Sequence, residues 1–228
     1  MRKLGLLLLF FIIITSSYAQ DTEYSVHLNS GLFSFNGKSA TEFTYINQRS
    51  DGSAYTNNPY GSNNALSYGL TGQAQRITQS HFVFGLQSGY EILRSSVHIT
   101  GLNAQVEASG NTIFQHTFVN IYPFLGYRFS VWDFDMDVTV GPEAGLPLSS
   151  KEIGEATLND GSTISTNYER NKPNTDYRLR TSVTGHYKKW GLSVGYSYGL
   201  YNYRSGWVGG VNKAYARFIR FGISYELF

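Results

Sequence analysis

The chain has 228 residues, with 18 basic side chains, 16 acidic side chains and no cysteine. The lack of cysteine excludes both a disulfide framework and a lipoprotein anchor. The small net charge of +2 gives no support for nucleic-acid binding, which usually needs a basic excess on one face. The 24 Gly, 18 Tyr and 15 Phe, set against 5 Pro, favour strands and tight turns over helices.

The first 19 residues have the pattern of a secretory signal peptide. Two bases precede an unbroken apolar run from Leu4 to Ile14, and Ser17-Tyr18-Ala19 then forms a small-x-small cleavage pattern. That run is well short of the ~20 apolar residues that cross a bilayer as a helix. We therefore predict a signal peptide over residues 1–19 and one domain over residues 20–228, whose 16 remaining bases balance its 16 acids.

Eight stretches of the predicted domain alternate apolar and polar residues with the period of two that indicates a β-strand. Each has about the length of a tilted membrane strand. They cover roughly residues 23–35, 66–77, 81–93, 117–129, 134–147, 177–188, 190–203 and 215–228.

The connections between these stretches are alternately long and short, and both termini fall at the end of the short turns. The long connections are rich in Asn, Ser, Gly and Thr and are expected to be loops, at residues 36–65, 94–116, 148–176 and 204–214. This order predicts an all-β fold, an eight-stranded antiparallel up-and-down transmembrane β-barrel with periplasmic turns and extracellular loops.

Alternation alone does not say which face is inside, because a soluble lipocalin-like barrel has the same period. Along residues 190–200, one face carries bulky residues such as Leu192 and Tyr196, while the other carries only Gly and Ser. An eight-stranded barrel has an interior just wide enough for its own side chains, so this distribution favours a membrane barrel. Trp132 and Trp190, beside two short turns, are predicted to lie at the headgroup boundary.

With the apolar face in lipid, the inward face collects charged residues. Buried charges must be paired or hydrogen-bonded, so we expect a salt-bridged filling of the lumen. A narrow path for protons or small ions is the alternative. Arg128 and Asp135 are equidistant from the middle of the turn at residues 130–133, which predicts a cross-strand ion pair. The predicted lumen charge network consists of Glu91, Arg128, Asp135, Asp137, Glu143, Arg178, Arg180, Arg220 and Glu226, and His27, His186 and Lys188 share its face.

Three segments, taken in order, resemble the PorT-like outer-membrane β-barrel family of Gram-negative bacteria. They are Phe118-Val-Asn-Ile-Tyr-Pro-Phe-Leu-Gly-Tyr-Arg-Phe129, Val140-Gly-Pro-Glu-Ala-Gly145 and Gly195-Tyr-Ser-Tyr-Gly-Leu-Tyr-Asn202. The resemblance implies an integral outer-membrane barrel without catalytic residues, and the best-known member of the family serves protein secretion. Pro123, inside the first segment, cannot donate to a strand ladder and predicts a bulge there.

The last strand carries a predicted assembly signal. Its lipid-facing residues are followed by a terminal aromatic that is off their parity: Ile219, Phe221, Ile223, Tyr225 and Leu227, then Phe228. We therefore expect contacts with outer-membrane lipid and with the barrel-assembly machinery.

The sequence offers little support for catalysis. It contains no His-Glu-x-x-His and no paired carboxylates in a set geometry, so no catalytic residue, metal or cofactor is predicted. His81, His98 and His116 leave a lipid-modifying enzyme as one alternative. Metal binding by His98 and His116 has no supporting carboxylate spacing.

The predicted loops contain aromatic residues among polar ones, a composition suited to adaptable contacts: Tyr45, Tyr55, Tyr60, Tyr168 and Trp207. The leading hypothesis is a non-enzymatic outer-membrane barrel. Its loops or its lipid-facing wall would contact a protein partner in an envelope assembly or secretion complex. A small-solute or ion channel is the second hypothesis.

Overall fold

The computed structural model describes residues 21–132, 134–206 and 209–227. The predicted signal peptide, Trp207 and Phe228 lie outside these ranges. Within them no helix is long and apolar enough to cross a bilayer. The described chain forms eleven strands: β1 (Asp21–Asn36), β2 (Phe43–Gln48), β3 (Ala54–Thr56), β4 (Asn63–Ile77), β5 (Phe82–Leu102), β6 (Val106–Val131), β7 (Phe134–Leu158), β8 (Thr163–Glu169), β9 (Asp176–Tyr187), β10 (Trp190–Gly199) and β11 (Tyr215–Glu226).

Eight of these strands close into a ring in the order β1, β4, β5, β6, β7, β9, β10, β11. All neighbours in the ring are antiparallel. The ring closes at β1, where Leu28 lies opposite both Leu70 of β4 and Ile223 of β11. Each ring strand corresponds to one of the eight predicted stretches. The prediction of an eight-stranded antiparallel up-and-down barrel of the transmembrane type is therefore confirmed.

Both termini of the described chain lie at the end of the short turns. The backbone N–H of Glu226 donates to the carbonyl of Lys189, and that of Leu227 donates to the carbonyl of Tyr24, both over 2.8 Å. Lys188 has a φ of 53° in the β9–β10 turn and is exposed. The prediction that Lys188 faces the lumen is wrong, because β9 ends one residue before it.

The β6–β7 hairpin has a different register from the predicted one. Its pairing begins at Val131 and Phe134, so the turn is centred one residue later than expected. Arg128 therefore lies opposite Asp137, and Asp135 lies opposite Ser130. The predicted pair of Arg128 with Asp135 is wrong for this reason.

Two of the predicted long loops are largely strand. Residues 94–116 continue β5 and β6 up to a tight turn at residues 103–105, and residues 148–169 form the β7–β8 hairpin. β2 pairs in parallel with β5, and β3 pairs with β2. We call this region the loop-end sheet: β2, β3 and β8 with residues 93–102 of β5, 106–117 of β6 and 149–158 of β7.

The loop-end sheet has its own apolar core. Its buried side chains are Ile46, Ala54, Val97, Ile99, Ala108, Phe114 and Ala156. Along β5, the buried face changes from Gln87 and Glu91 in the barrel to Val97 and Ile99 in the loop-end sheet. The loop-like composition at residues 94–116 and 148–169 therefore belongs to the outer face of strands whose apolar side chains are buried on the other face.

Pro123 lies in a regular register rather than in the predicted bulge. It faces Leu86 of β5 without a shift, and the β6–β7 ladder pauses around Pro123 and then resumes unshifted. The bulge of this hairpin is at Leu148, because Phe118 pairs with Pro147 and the next pair is Thr117 with Ser149. One extra residue exchanges the two faces of a strand, so the inward parity of β7 changes there.

Candidate functional site: lumen, plug and cup

The outer face of the barrel is a continuous apolar surface. Every ring strand contributes exposed side chains to it, including Leu28, Leu32, Leu66, Leu70, Phe84, Leu86, Leu125, Val138, Val140, Leu179, Val183, Leu192 and Val194. On β11, the predicted lipid-facing series is outward and exposed: Ile219, Phe221, Ile223, Tyr225 and Leu227. Soluble monomers rarely expose so large an apolar patch.

Aromatic side chains surround the short-turn end of this surface. Trp132 is 94% exposed at the β6–β7 turn. Trp190 packs edge-on against Tyr225, with ring centroids 5.0 Å apart, and Phe134 stacks on Tyr187 at the same distance. Such a girdle is typical of the boundary between hydrocarbon and headgroups.

The middle of the lumen contains an ion-paired network centred on Arg220. Its guanidinium donates to both carboxylate oxygens of Glu91, at 3.0 and 2.9 Å, and to Glu143 at 2.9 Å. Ser197 accepts a hydrogen bond from Arg220 and donates one to Glu143, each 2.9 Å long. One arginine therefore joins carboxylates from two other strands across the barrel.

Arg178 and Arg180 extend this network from β9. Arg178 donates to Asp176 over 2.5 Å and to Glu143 over 3.3 Å. Arg180 donates to the side-chain oxygen of Gln87 over 2.7 Å and lies 3.7 Å from Glu143. Three arginines thus meet three carboxylates, and this balance is what allows charges to be buried. We call Glu91, Glu143, Asp176, Arg178, Arg180 and Arg220 the upper network.

Small residues make room for these long side chains. A Cβ on Gly145 would lie 3.0 Å from both a guanidinium nitrogen of Arg178 and the amide oxygen of Asn120. Glycine on the inward face of the barrel therefore leaves space that the arginines occupy.

A lower network lies nearer the short turns. Arg128 forms a two-pronged pair with Asp137, at 2.6 and 2.7 Å, and a second with Glu23, at 2.6 and 3.0 Å. His186 bonds Asp137 at 3.0 Å, and Gln75 donates to Glu23 at 2.7 Å. Paired N–H donors aligned on one carboxylate are among the stronger ion pairs in proteins.

The two networks contain most of the predicted lumen residues. Asp135 and Glu226 belong to neither: Asp135 accepts a hydrogen bond from Ser130 over 2.6 Å, and half-buried Glu226 has no ion pair among the described residues. Glu23 and Asp176 were missed. Asp176 has the parity of Arg178, but the predicted strand began one residue after it. His27 is buried among the predicted inward residues.

An apolar layer, the plug, lies in the lumen next to the upper network, where Arg220 lies over the ring of Phe218. Along β6 the inward positions pass from Asn120, which donates to Glu91 of the upper network, to Phe118 in the plug. The plug consists of the buried residues Phe33, Phe35, Leu93, Phe118, Ala214, Ala216 and Phe218. Below it, a cavity beside His27 and Gln87 has a volume of about 10 Å³, which holds about one water molecule.

Above the plug, the long-loop end opens into a cavity of about 750 Å³, which we call the cup. Its floor includes His116, the next inward residue of β6 above Phe118, and Tyr203, which packs on the plug. The cup is lined by four cationic residues, Arg49, Arg170, Lys172 and Arg204, and by five tyrosines, Tyr55, Tyr60, Tyr168, Tyr201 and Tyr203. None of its described lining residues is acidic.

The three histidines considered for catalysis or metal binding are separated. His98 is exposed on the outer face of β5 and bonds the side-chain oxygen of Asn111 at 2.6 Å. His116 is buried and bonds Ser150 at 3.0 Å, and His81 is exposed at a short turn. Among the described residues, no group of three or more His, Asp or Glu side chains is arranged to hold a metal.

Two Gly-x-Ser-x-Gly spacings occur in the chain, at residues 191–195 and 195–199. In α/β-hydrolases this motif places its serine on a sharp turn between a strand and a helix. Here both serines, Ser193 and Ser197, lie inside the regular strand β10. Ser197 is fully buried between Arg220 and Glu143, so neither spacing forms a nucleophile elbow.

Comparison with known proteins finds no family model and no curated protein that matches the chain. Among solved structures, the chain is similar to Ail, the attachment invasion locus protein of Yersinia pestis, with 7% identity and a TM-score of 0.39 over 91% of this chain and 99% of that chain. Neisserial surface protein A (NspA) gives 12% identity and a TM-score of 0.35 over the same shares. The TodX deltaS2S3 mutant monoaromatic hydrocarbon channel gives 10% and 0.26 over 90% of each chain. These identities and TM-scores are low. The fold assignment therefore rests on the closed ring of eight strands in the chain itself.

Proposed function

We propose that this chain is an integral outer-membrane β-barrel with a closed lumen, without enzymatic activity, whose long-loop end contacts a protein partner in an envelope assembly or secretion complex. The observation that carries the proposal is the distribution of side chains: an apolar outer wall encloses two ion-paired networks and an apolar plug. Such a wall requires hydrocarbon around it.

The membrane part of the proposal can be tested with single cysteines, because the natural chain has none. Spin labels on Val194→Cys and Ile223→Cys are expected to be accessible to dissolved oxygen and protected from a water-soluble nickel complex. Ser96→Cys, on the outer face of the loop-end sheet, serves as the matched control and is expected to be accessible to nickel. Water-accessible labels at Val194 and Ile223 would contradict a membrane location.

The closed lumen is tested by conductance in a planar bilayer. The plug and the two networks place packed and ion-paired side chains of the described residues inside the lumen, so we expect no steady conductance above that of a detergent control. Reproducible single-channel steps would instead favour the small-ion channel.

The partner can be sought with a photo-crosslinking residue at two exposed apolar positions. Val106 lies at the tip of the β5–β6 hairpin, and Leu125 lies on the barrel wall. We expect protein adducts from Val106 in intact cells and lipid adducts from Leu125. Adducts to lipid alone at both positions would contradict a partner at this hairpin. The resemblance to PorT-like proteins supports a secretion or assembly complex as that partner. The outward apolar series of β11 supports the barrel-assembly machinery as the factor that inserts the barrel.

A further inference from the structure

We propose that the cup is a binding site for an acidic oligosaccharide, a ligand that combines negative charge, sugar-ring faces and many hydroxyl groups. This site is distinct from a protein-contacting surface, because it is a concave cavity at the centre of the long-loop end. Its volume of about 750 Å³ falls within the range of small-ligand sites.

The charge of the cup indicates an anionic ligand. All four charged residues in its lining are cationic. Arg170 forms an ion pair over 2.5 Å with Glu152, a buried residue that is not part of the cup lining. Lys172 has no ion pair among the described residues. A concave surface of one sign concentrates ligands of the other sign, and arginine donors match carboxylate, sulfate and phosphate oxygens.

Two of the arginines are held in place before any ligand binds. Arg49 lies over the rings of both Tyr55 and Tyr168, at 4.8 and 5.1 Å from their centroids. Arg170 donates to Glu152 and to the backbone carbonyl of Thr56. Side chains that are already ordered lose less conformational entropy on binding.

Tyrosine and asparagine side chains indicate that the anion is carried on a sugar. Tyr201 and Tyr203 pack edge to face, with centroids 5.6 Å apart, and provide an apolar ring surface. Four asparagines also line the cup: Asn57, Asn58, Asn171 and Asn174. Amides and phenols can both donate to and accept from sugar hydroxyls, whereas a bare inorganic anion uses only donors.

The floor of the cup contains an unpaired polar atom. His116 is buried, its Nδ1 bonds Ser150 at 3.0 Å, and its Nε2 has no hydrogen-bond partner among the described residues. A neutral imidazole has one donor and one acceptor nitrogen, so it can bond a hydroxyl. A buried polar atom without a partner is costly, and His116, which lines the cup, retains this unused hydrogen-bonding capacity.

The test uses three probes that separate the contribution of negative charge from the contribution of sugar rings. Tetragalacturonate has rings and charges, maltotetraose has rings without charge, and tripolyphosphate has charge without rings. Calorimetry on the refolded full domain in neutral detergent should show binding of tetragalacturonate, with maltotetraose at least about tenfold weaker. Equal affinity for tripolyphosphate would overturn the sugar component, and absence of tetragalacturonate binding at low salt would overturn the site.

Variants then place the binding in the cup. Lys172→Ala and Arg49→Ala are each expected to weaken tetragalacturonate binding about three- to tenfold. Tyr201→Ala should weaken tetragalacturonate more than tripolyphosphate. Lys38→Ala removes an exposed cation at the same end but outside the cup, and should leave affinity unchanged. If Lys38→Ala weakens binding as much as Lys172→Ala does, the attraction is diffuse and the proposed site is wrong. The heat-modified gel shift of each variant checks that it is folded.

Discussion

The barrel wall and the loop-end sheet share strands β5, β6 and β7. In the barrel wall the apolar side chains face outward, whereas in the loop-end sheet they face inward. On β5, Leu86 faces outward and Glu91 inward in the barrel, whereas eight residues beyond Glu91 the buried residue is Ile99 and its outward neighbour is His98. β5 and β6 keep one register through this change, from Phe82 to Ile99, while β7 shifts by one residue at Leu148. Polarity is therefore set by what surrounds each part of the strand, and not by the strand itself.

The physical reason differs between the two regions. In the loop-end sheet, burial of Val97, Ile99 and Phe114 removes apolar surface from water and stabilises the fold directly. In hydrocarbon the outer wall gains nothing from such burial, so the barrel depends on backbone hydrogen bonds and on the pairing of its inner charges. Substitutions in the two regions should accordingly have different costs.

The largest effect is expected from Arg220→Met. It leaves Glu91 without its arginine and removes one of the partners of Glu143, and a buried charge without its partner costs about 3–5 kcal/mol. Urea unfolding of the barrel in lipid vesicles, followed by tryptophan fluorescence, measures this loss.

The double variant Arg220→Met with Glu91→Met is the matched control for charge. It removes one charge of each sign, while Glu143 keeps Arg178 at 3.3 Å. We expect it to be more stable than the single variant. A single variant as stable as the parent would mean that the upper network is not desolvated.

The second effect compares one substitution at two outward positions of β5. Leu86→Arg places a charge on the lipid-facing wall and should cost about 2–4 kcal/mol. Ser96→Arg places the same charge on the outer face of the loop-end sheet, in water, and should change stability by less than about 0.5 kcal/mol. Equal losses of unfolding free energy at the two positions, measured by the same assay, would contradict a difference in surroundings between the barrel wall and the loop-end sheet.

The ring of the barrel was predictable from sequence because lipid and lumen impose alternation over whole strands. The continuation of β5 and β6 was not predictable in this way. Past Leu93 the outward face becomes Arg94 and Ser96, which have the composition of a loop, while the inward face becomes apolar. Alternation with apolar residues outward and polar residues inward therefore ends at this level of β5. A strand prediction based on that one arrangement ends there too.

The inward parity of the charged residues was also predictable, but their partners were not. Arg220 and Glu91 are 129 positions apart and meet only because the ring closes. Likewise, the choice of Asp137 over Asp135 as the partner of Arg128 depends on a shift of one residue in a turn. The cup combines side chains from several separate connections, and sequence gives no measure of how such segments approach one another.

The smallest expected effect separates packing in water from packing in lipid. Ile99→Val deletes a methylene from the closed core of the loop-end sheet, which should cost about 0.5–1.5 kcal/mol. Ile223→Val deletes the same group from the outer wall of β11, where mobile lipid chains can fill the space, so the change should stay below about 0.5 kcal/mol. Hydrogen exchange of the amides of β2 and β5 measures the first loss, and vesicle unfolding measures the second. If Ile223→Val proved as costly as Ile99→Val, the surface around β11 would have to be covered by packed protein rather than by lipid. The partner of this barrel would then lie against its wall instead of at its long-loop end.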